Sequence, residues 1–438
     1  MVAASAVGIV ALVPLAACNA LTGASDLNTC ENCGFVPGSS GGVDGGGGGD
    51  DGSMVIVLEG GSDALPPTCF GNQTVCAGTI SAECVNNAWV PTICPKLCDA
   101  TTGKCADYPS CRNAAATSCA GAAPGVMSCC DTAAVPGGTF NRKSSNSFPA
   151  TVSPFHLDRF EVTVGRMRAF VAAGGATQAA PPAAGAGANP KIPGSGWNVA
   201  WNPLLPVDVA ALHTMLGRST PTWTDVPGAN ERLPINNVSW FVAFAFCAWD
   251  GGRLPTYAEM NFASEGGSDQ RPYPWSTSAT DTFITRQRAA YNCNFNPPEQ
   301  VCPASSCSDG TSSPCDTTTC LAPATCQYPG CTGCSPADIA PVGSLPTGAG
   351  KWGHFDLSGN IAELVYDTVA PLPMPCIDCV HAPPTMLQKG PGGTQRLNVQ
   401  FVLTGGAWDY DVSSMQNTST SAIRDDIVDN DVGFRCAR

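Results

Sequence analysis

Leu233 to Trp275 reads LPINNVSWFVAFAFCAWDGGRLPTYAEMNFASEGGSDQRPYPW. Ser239 suits an N-cap, apolar residues fill Trp240 to Trp249, and Gly251-Gly252 stops the helix they predict. That helix is apolar almost all round, so it belongs inside a domain rather than on its surface. Thr256 and Glu259 form a capping box that opens a second helix, and Gly266-Gly267 ends it before the aromatic run Tyr273-Pro274-Trp275. Two short helices joined by a fixed turn make a rigid wedge on which a domain can be built.

Outward from the wedge, composition narrows the possibilities. A chain of 438 residues has room for two or three domains. Its net charge is -14 with only 21 Lys and Arg, which argues against a nucleic-acid partner. The 48 glycines and 38 prolines predict abundant loop. The 25 cysteines point to an oxidising compartment outside the cytosol, where thiols pair as disulfides.

In chain order, residues 1–17 read as a lipoprotein signal peptide, too short to span a bilayer. Leu15-Ala16-Ala17-Cys18 resembles a bacterial lipobox, which predicts lipid on Cys18 and anchoring in the cell envelope. The basic start usual in a signal peptide is missing, since the first Lys or Arg is Lys96. Residues 18–67, with the pentaglycine Gly45–Gly49, read as a flexible tether. Residues 68–130 carry ten cysteines and few apolar residues, as expected of a module held by disulfides. The region 131–438 follows. A short helix from Val164 to Ala173 is stopped by Gly174-Gly175, and Ala176 to Gly196 reads as a surface loop. Residues 293–334, with eight cysteines, and 371–393 read as insertions.

A set of motifs in order ties 131–438 together. Val135-Pro136-Gly137-Gly138-Thr139-Phe140 and Phe155-His156-Leu157-Asp158-Arg159-Phe160-Glu161-Val162-Thr163 precede the wedge. Pro341-Val342-Gly343-Ser344, Phe355-Asp356-Leu357-Ser358-Gly359-Asn360-Ile361-Ala362-Glu363, Leu403-Thr404-Gly405-Gly406-Ala407-Trp408 and Gly433-Phe434-Arg435 follow it. Together with the wedge, these resemble the formylglycine-generating enzyme family, also called sulfatase-modifying factors. The resemblance implies an α+β, C-type-lectin-like fold with short strands, few helices and much ordered loop.

The resemblance also implies chemistry. In the family, two cysteines bind copper and, with oxygen, oxidise a sulfatase cysteine to formylglycine. Aligned from Gly405-Gly406, those positions fall on Tyr410 and Met415, and no cysteine lies between Gly406 and Arg435. A phenol and a thioether are poor Cu(I) ligands beside two thiolates. The reading is therefore a domain that has lost its catalytic pair and that binds a protein or glycan in a groove beside Trp408 and Tyr410. The alternative is an oxidase working with altered residues. Structural calcium is implied at Asp356, Gly359, Ile361 and Glu363, the first and last through side-chain oxygens and the other two through backbone carbonyls. A disulfide between Cys247 and Cys436 is implied as well; the family's other bridge would be absent, because its first position falls on Ser264.

Other chemistry finds little support. The pairs Cys30/Cys33, Cys331/Cys334 and Cys376/Cys379 have zinc-ligand spacing, but in an oxidising compartment disulfides are the default. The four histidines, His156, His213, His354 and His381, show no H-E-x-x-H spacing, and no G-x-S-x-G or phosphate loop occurs.

Overall fold

The computed structural model describes residues 69–112, apart from 72, 78, 79, 95, 100 and 101, together with 127–293, 295 and 335–438. The chain divides into two compact units, Met1–Ala106 and Asp107–Arg438. The signal peptide, the tether, Cys18 and most of the insertion 293–334 lie outside the described residues.

In the first unit, β1 (Thr74–Ala77), β2 (Ile80–Val85) and β3 (Ala88–Ile93) form an antiparallel sheet in that order. Asn86 and Asn87 both take positive φ, 53° and 64°, the geometry a two-residue hairpin needs. β4 (Leu97–Asp99) pairs with β5 (Lys104–Ala106). The disulfides Cys69–Cys84, Cys76–Cys98 and Cys94–Cys105 hold the unit together. The unit ends at Ala106, inside the 68–130 module read from cysteine density. Residues 107–112 pack into the second unit, where Cys111 bonds Cys130 and Ser110 N donates to Asp250 Oδ1 at 2.8 Å.

The second unit is α+β. Ribbons β6 (Thr132–Val135) with β9 (Phe155–Asp158), and β7 (Gly138–Asn141) with β8 (Pro149–Val152), open it. Helix α1 (Val164–Ala172) starts where Thr163 accepts from Arg166 N. Helix α2 (Val209–Leu216), capped by Asp208, was not predicted. The wedge follows as read. Ser239 caps α3 (Trp240–Trp249), and the Thr256/Glu259 capping box opens α4 (Tyr257–Glu265), which ends on left-handed Gly266.

A four-stranded sheet runs in the order β14 (Ser421–Arg424), β13 (Gln400–Thr404), β10 (Ala362–Thr368), β15 (Val432–Gly433). Every residue of β10 is buried, since the strand has neighbours on both edges and is covered on both faces. A two-stranded ribbon, β11 (Gln388–Lys389) with β12 (Gln395–Arg396), lies between β10 and β13 in the chain.

The buried wedge organises the core. Trp240 stacks on Phe401 of β13 with centroids 4.5 Å apart, and Phe246 meets Phe434 edge-on at 5.4 Å. The loop 176–196 is less superficial than its composition suggests. Gly187 packs so close to α3 that an added Cβ would lie 2.9 Å from Ala248 Cβ, and Trp197 and Trp201 behind the loop are buried. The C-terminus threads between β9 and the wedge. Arg438 N donates to His156 O, and Ala437 N donates to Arg253 O, each at 2.8 Å. Cys436 is joined to Cys247 of α3 across 189 residues.

A charge network ties the segment before β6 to α1 and the C-terminus. Arg166 bridges Asp158 at 2.8 Å and Asp250 at 2.7 Å, and Arg438 reaches both carboxylates. Burial alone would push the Asp158 carboxyl up, but Arg166 and Arg438 overcome it and hold Asp158 below its ordinary value.

Candidate functional site

The turn after β13 carries the two positions implied for catalysis. Gly405 and Gly406 have φ of 90° and 67°, and a Cβ on Gly406 would collide with Met415 Cε. Met415 is therefore packed under the turn. It is fully buried and clusters with Tyr273, Trp275, Tyr291 and Val412. Tyr410 is half-buried, and its phenol interacts with the side chains of Asp431 and Ser421. Burial first, then Asp431, push the Tyr410 phenol up. Burial raises the Asp431 carboxyl to about 6, against the hydrogen bond from Tyr410. A neutral phenol beside a carboxylate is the result.

Beside them lies a cleft of about 210 Å³, lined by Gly406, Tyr410, Ser413, Ser414, Ser419, Thr420 and Ser421. The expected groove was aromatic and open on Trp408 and Tyr410; the cleft is lined mostly by hydroxyls instead. Trp408 is 4% exposed and sits in the core, with its backbone N–H donating to Asn360 O. Its Nε1 is buried without a hydrogen-bond partner.

The residues implied for calcium surround a buried ion pair. Glu363 accepts from Arg435 Nε and Nη2, each at 2.6 Å. Asp356, at φ 55°, accepts from Gly343 N at 2.6 Å. Glu161 stands between them and accepts from Asn360 Nδ2 at 2.6 Å and Ile361 N at 3.1 Å. Burial, then Asp356 and Glu363, push the Glu161 carboxyl well above its usual range. Burial also raises Asp356, to about 6. Three buried carboxylates thus face one guanidinium, and uncompensated buried charge is costly. Among the described residues no three His, Cys, Asp or Glu side chains form a metal-binding group. The implied set differs, since it uses two carboxylates and two backbone carbonyls. Glu161 was not singled out from the sequence, although it lies in the motif Asp158-Arg159-Phe160-Glu161.

Among the paired cysteines, Cys376 bonds Cys379. Cys30, Cys33, Cys331 and Cys334 lie outside the described residues. No helix of the described residues is long and apolar enough to cross a membrane.

The family described as "Sulfatase-modifying factor enzyme 1-like domain" matches residues 120–438. A formylglycine-generating enzyme of Thermomonospora curvata is 29% identical over 187 residues, covering 37% of this chain and 55% of that one. The formylglycine-generating enzyme of Streptomyces coelicolor is 27% identical over 304 residues, 65% of this chain and 78% of that one. The bovine protein named "Inactive C-alpha-formylglycine-generating enzyme 2" is 32% identical over 139 residues, 28% of this chain and 42% of that one. The chain thus spans about half the length of the first of these relatives.

Proposed function

Because the chain belongs to the sulfatase-modifying factor enzyme 1-like family over residues 120–438, we propose that it is a member whose catalytic pair has been replaced and whose cleft binds rather than oxidises. The observation that carries this reading is the state of Tyr410 and Met415. Copper oxidase chemistry in the family needs two thiolates, as soft ligands and as redox partners. Here the thioether is buried under a glycine turn and the phenol is half-buried beside Asp431. Neither can form a disulfide or release a cysteine substrate. The name of the bovine relative is that of a protein without the activity.

The hydroxyl-lined cleft suits a polar, neutral ligand, a glycan or a protein loop, because serine and threonine hydroxyls both donate and accept. Calcium is proposed as a structural ion, with Asp356 and Glu363 giving side-chain oxygens and Gly359 and Ile361 giving carbonyls. It would offset the buried carboxylates around Arg435. We place the protein outside the cytosol, on a lipid-bearing Cys18 of the cell envelope; the reading rests on the apolar start, the lipobox-like stretch and the cysteine content. A Cys18→Ser variant that still fractionates with membrane removes the anchor from the proposal.

The second reading, a formylglycine-generating oxidase with altered residues, draws on the relatives of that name. One assay separates the two. The purified chain is incubated with copper and a Cys-x-Pro-x-Arg peptide while oxygen uptake and peptide mass are followed. The expected result is no tight copper binding and an unchanged peptide. Copper-stimulated conversion of the cysteine to formylglycine restores the oxidase.

A further inference from the structure

A second cavity, of about 410 Å³, has walls that include Arg142, Tyr257, Asp367, Cys379 and His381. Nothing in the family chemistry at Tyr410 and Met415 uses these groups. The Cys376–Cys379 disulfide borders this space. Its two sulfurs are unlike. Cys376 is 4% exposed, whereas Cys379 is half-buried and lines the cavity. Cys247 and Cys436, by contrast, are both fully buried.

Arg142 Nη1 donates to Cys379 Sγ at 3.4 Å. The guanidinium is fixed there by two carbonyls: Nη2 donates to Pro373 O at 2.7 Å, and Nε to Phe148 O at 3.4 Å. A cation held against a sulfur stabilises the thiolate over the thiol. The loop itself does not depend on the S–S bond for its shape. Thr151 N donates to Cys376 O and Asp378 N donates to Thr151 O, each at 2.9 Å. The Asp378 carboxylate takes Ser153 N at 2.6 Å and Ser153 Oγ at 2.7 Å. A bridge across three residues also closes too short a loop to constrain the unfolded chain much. This disulfide is therefore accessible on one side, electrostatically poised, and dispensable to the fold.

We propose that Cys376–Cys379 is a redox-active disulfide that exchanges with thiols entering this cavity, with Arg142 holding the Cys379 thiolate. A thiol enters as its thiolate, having given its proton to solvent, and attacks Cys379 Sγ. The Cys376–Cys379 bond breaks, its electron pair leaves on Cys376, and a mixed disulfide forms. A second substrate thiolate attacks the incoming sulfur and expels Cys379 as a thiolate beside Arg142. The two substrate thiols have lost two electrons and become a disulfide. The protein has gained them as two cysteines: Cys376 takes up one proton from solvent, and Cys379 stays a thiolate beside Arg142. Asp367 faces the same cavity and is anchored by Tyr257 N and His381 N, each at 2.8 Å. Burial raises its carboxyl to about 7.

The test uses the full chain equilibrated with graded ratios of reduced to oxidised glutathione, followed by alkylation and peptide mass mapping. Cys376/Cys379 should show an equilibrium constant for reduction ~100-fold or more above that of Cys247–Cys436, with the far-ultraviolet circular dichroism unchanged. If the pair stays oxidised until Cys247–Cys436 opens, it is a structural staple and the proposal fails. A Cys376→Ser variant isolates the Cys379 thiol, whose alkylation rate against pH gives its pKa. A value below the ordinary thiol value of about 8.5 supports the proposal, and a rise on adding Arg142→Gln assigns the effect to the guanidinium. A Cys379 thiol that titrates at or above the ordinary value overturns it. Should the variants fail to fold, the glutathione titration of the unaltered chain decides alone.

Discussion

Replacing Cys247 and Cys436 together by alanine should cost more than any other disulfide deletion among the described pairs. The bridge spans 189 residues, against 22 for the next longest described bond, Cys76–Cys98. In the chain-entropy model a loop of that length loses about 18 cal/mol/K on cross-linking, or about 5 kcal/mol at 25 °C. Both side chains are fully buried, so the small voids left by the two sulfurs add to this loss. The loss then acts mainly by freeing the unfolded chain. Given total stabilities of about 5–15 kcal/mol, it takes a third or more of what holds the domain together. Urea unfolding followed by tryptophan fluorescence reads the core directly through Trp240. The control is Cys376→Ala/Cys379→Ala, whose three-residue loop should cost no more than about 2 kcal/mol by the same relation. Equal losses for the two double variants would refute the reasoning, since they would show that loop length does not set the stabilisation.

Three further outcomes are expected. Arg435→Met deprives buried Glu363, Glu161 and Asp356 of their guanidinium, and should destabilise by about 3–5 kcal/mol in the same urea assay. Asp367 has a folded pKa raised by burial to about 7, so between about pH 4 and 7 the folded chain keeps a proton that the unfolded chain has released. That contribution is present at acid pH and is lost as pH rises towards 7. The melting temperature of an Asp367→Asn variant should therefore fall less over that range than the parent's, and parallel pH profiles would show that Asp367 does not titrate there. Gly406→Ala puts a Cβ into Met415 at a left-handed φ, and should cost about 1–3 kcal/mol in thermal unfolding followed by circular dichroism.

Local chemistry was legible because it is local. Ser239, Thr256 with Glu259, and Gly266 specify helix ends through hydrogen bonds to residues at most four positions away, and both wedge helices have the bounds those residues predict. Helix α2 is harder to read because it is only eight residues long, although Asp208 and Gly217 mark its ends. The loop 176–196 was misjudged for another reason. Small residues look like solvent-exposed linker in a sequence, yet the same smallness lets Gly187 approach α3 closely.

The ordered motifs from Val135 to Arg435 were enough to identify the family, and the absence of cysteine between Gly406 and Arg435 was visible in the sequence. What fills those positions was not. Only the folded chain turns Met415 under the glycine turn, joins Tyr410 to Asp431, and draws Trp408 into the core. The same holds for the pairs that carry charge. Glu161 meets Asn360 across 199 residues, and Arg142 meets Cys379 across 237. Spacing along the chain carries no information about such contacts, because they are set by how β10, the wedge and the opening ribbons pack. Side-chain type fixed which chemistry was available, and packing decided which groups were brought within reach of one another.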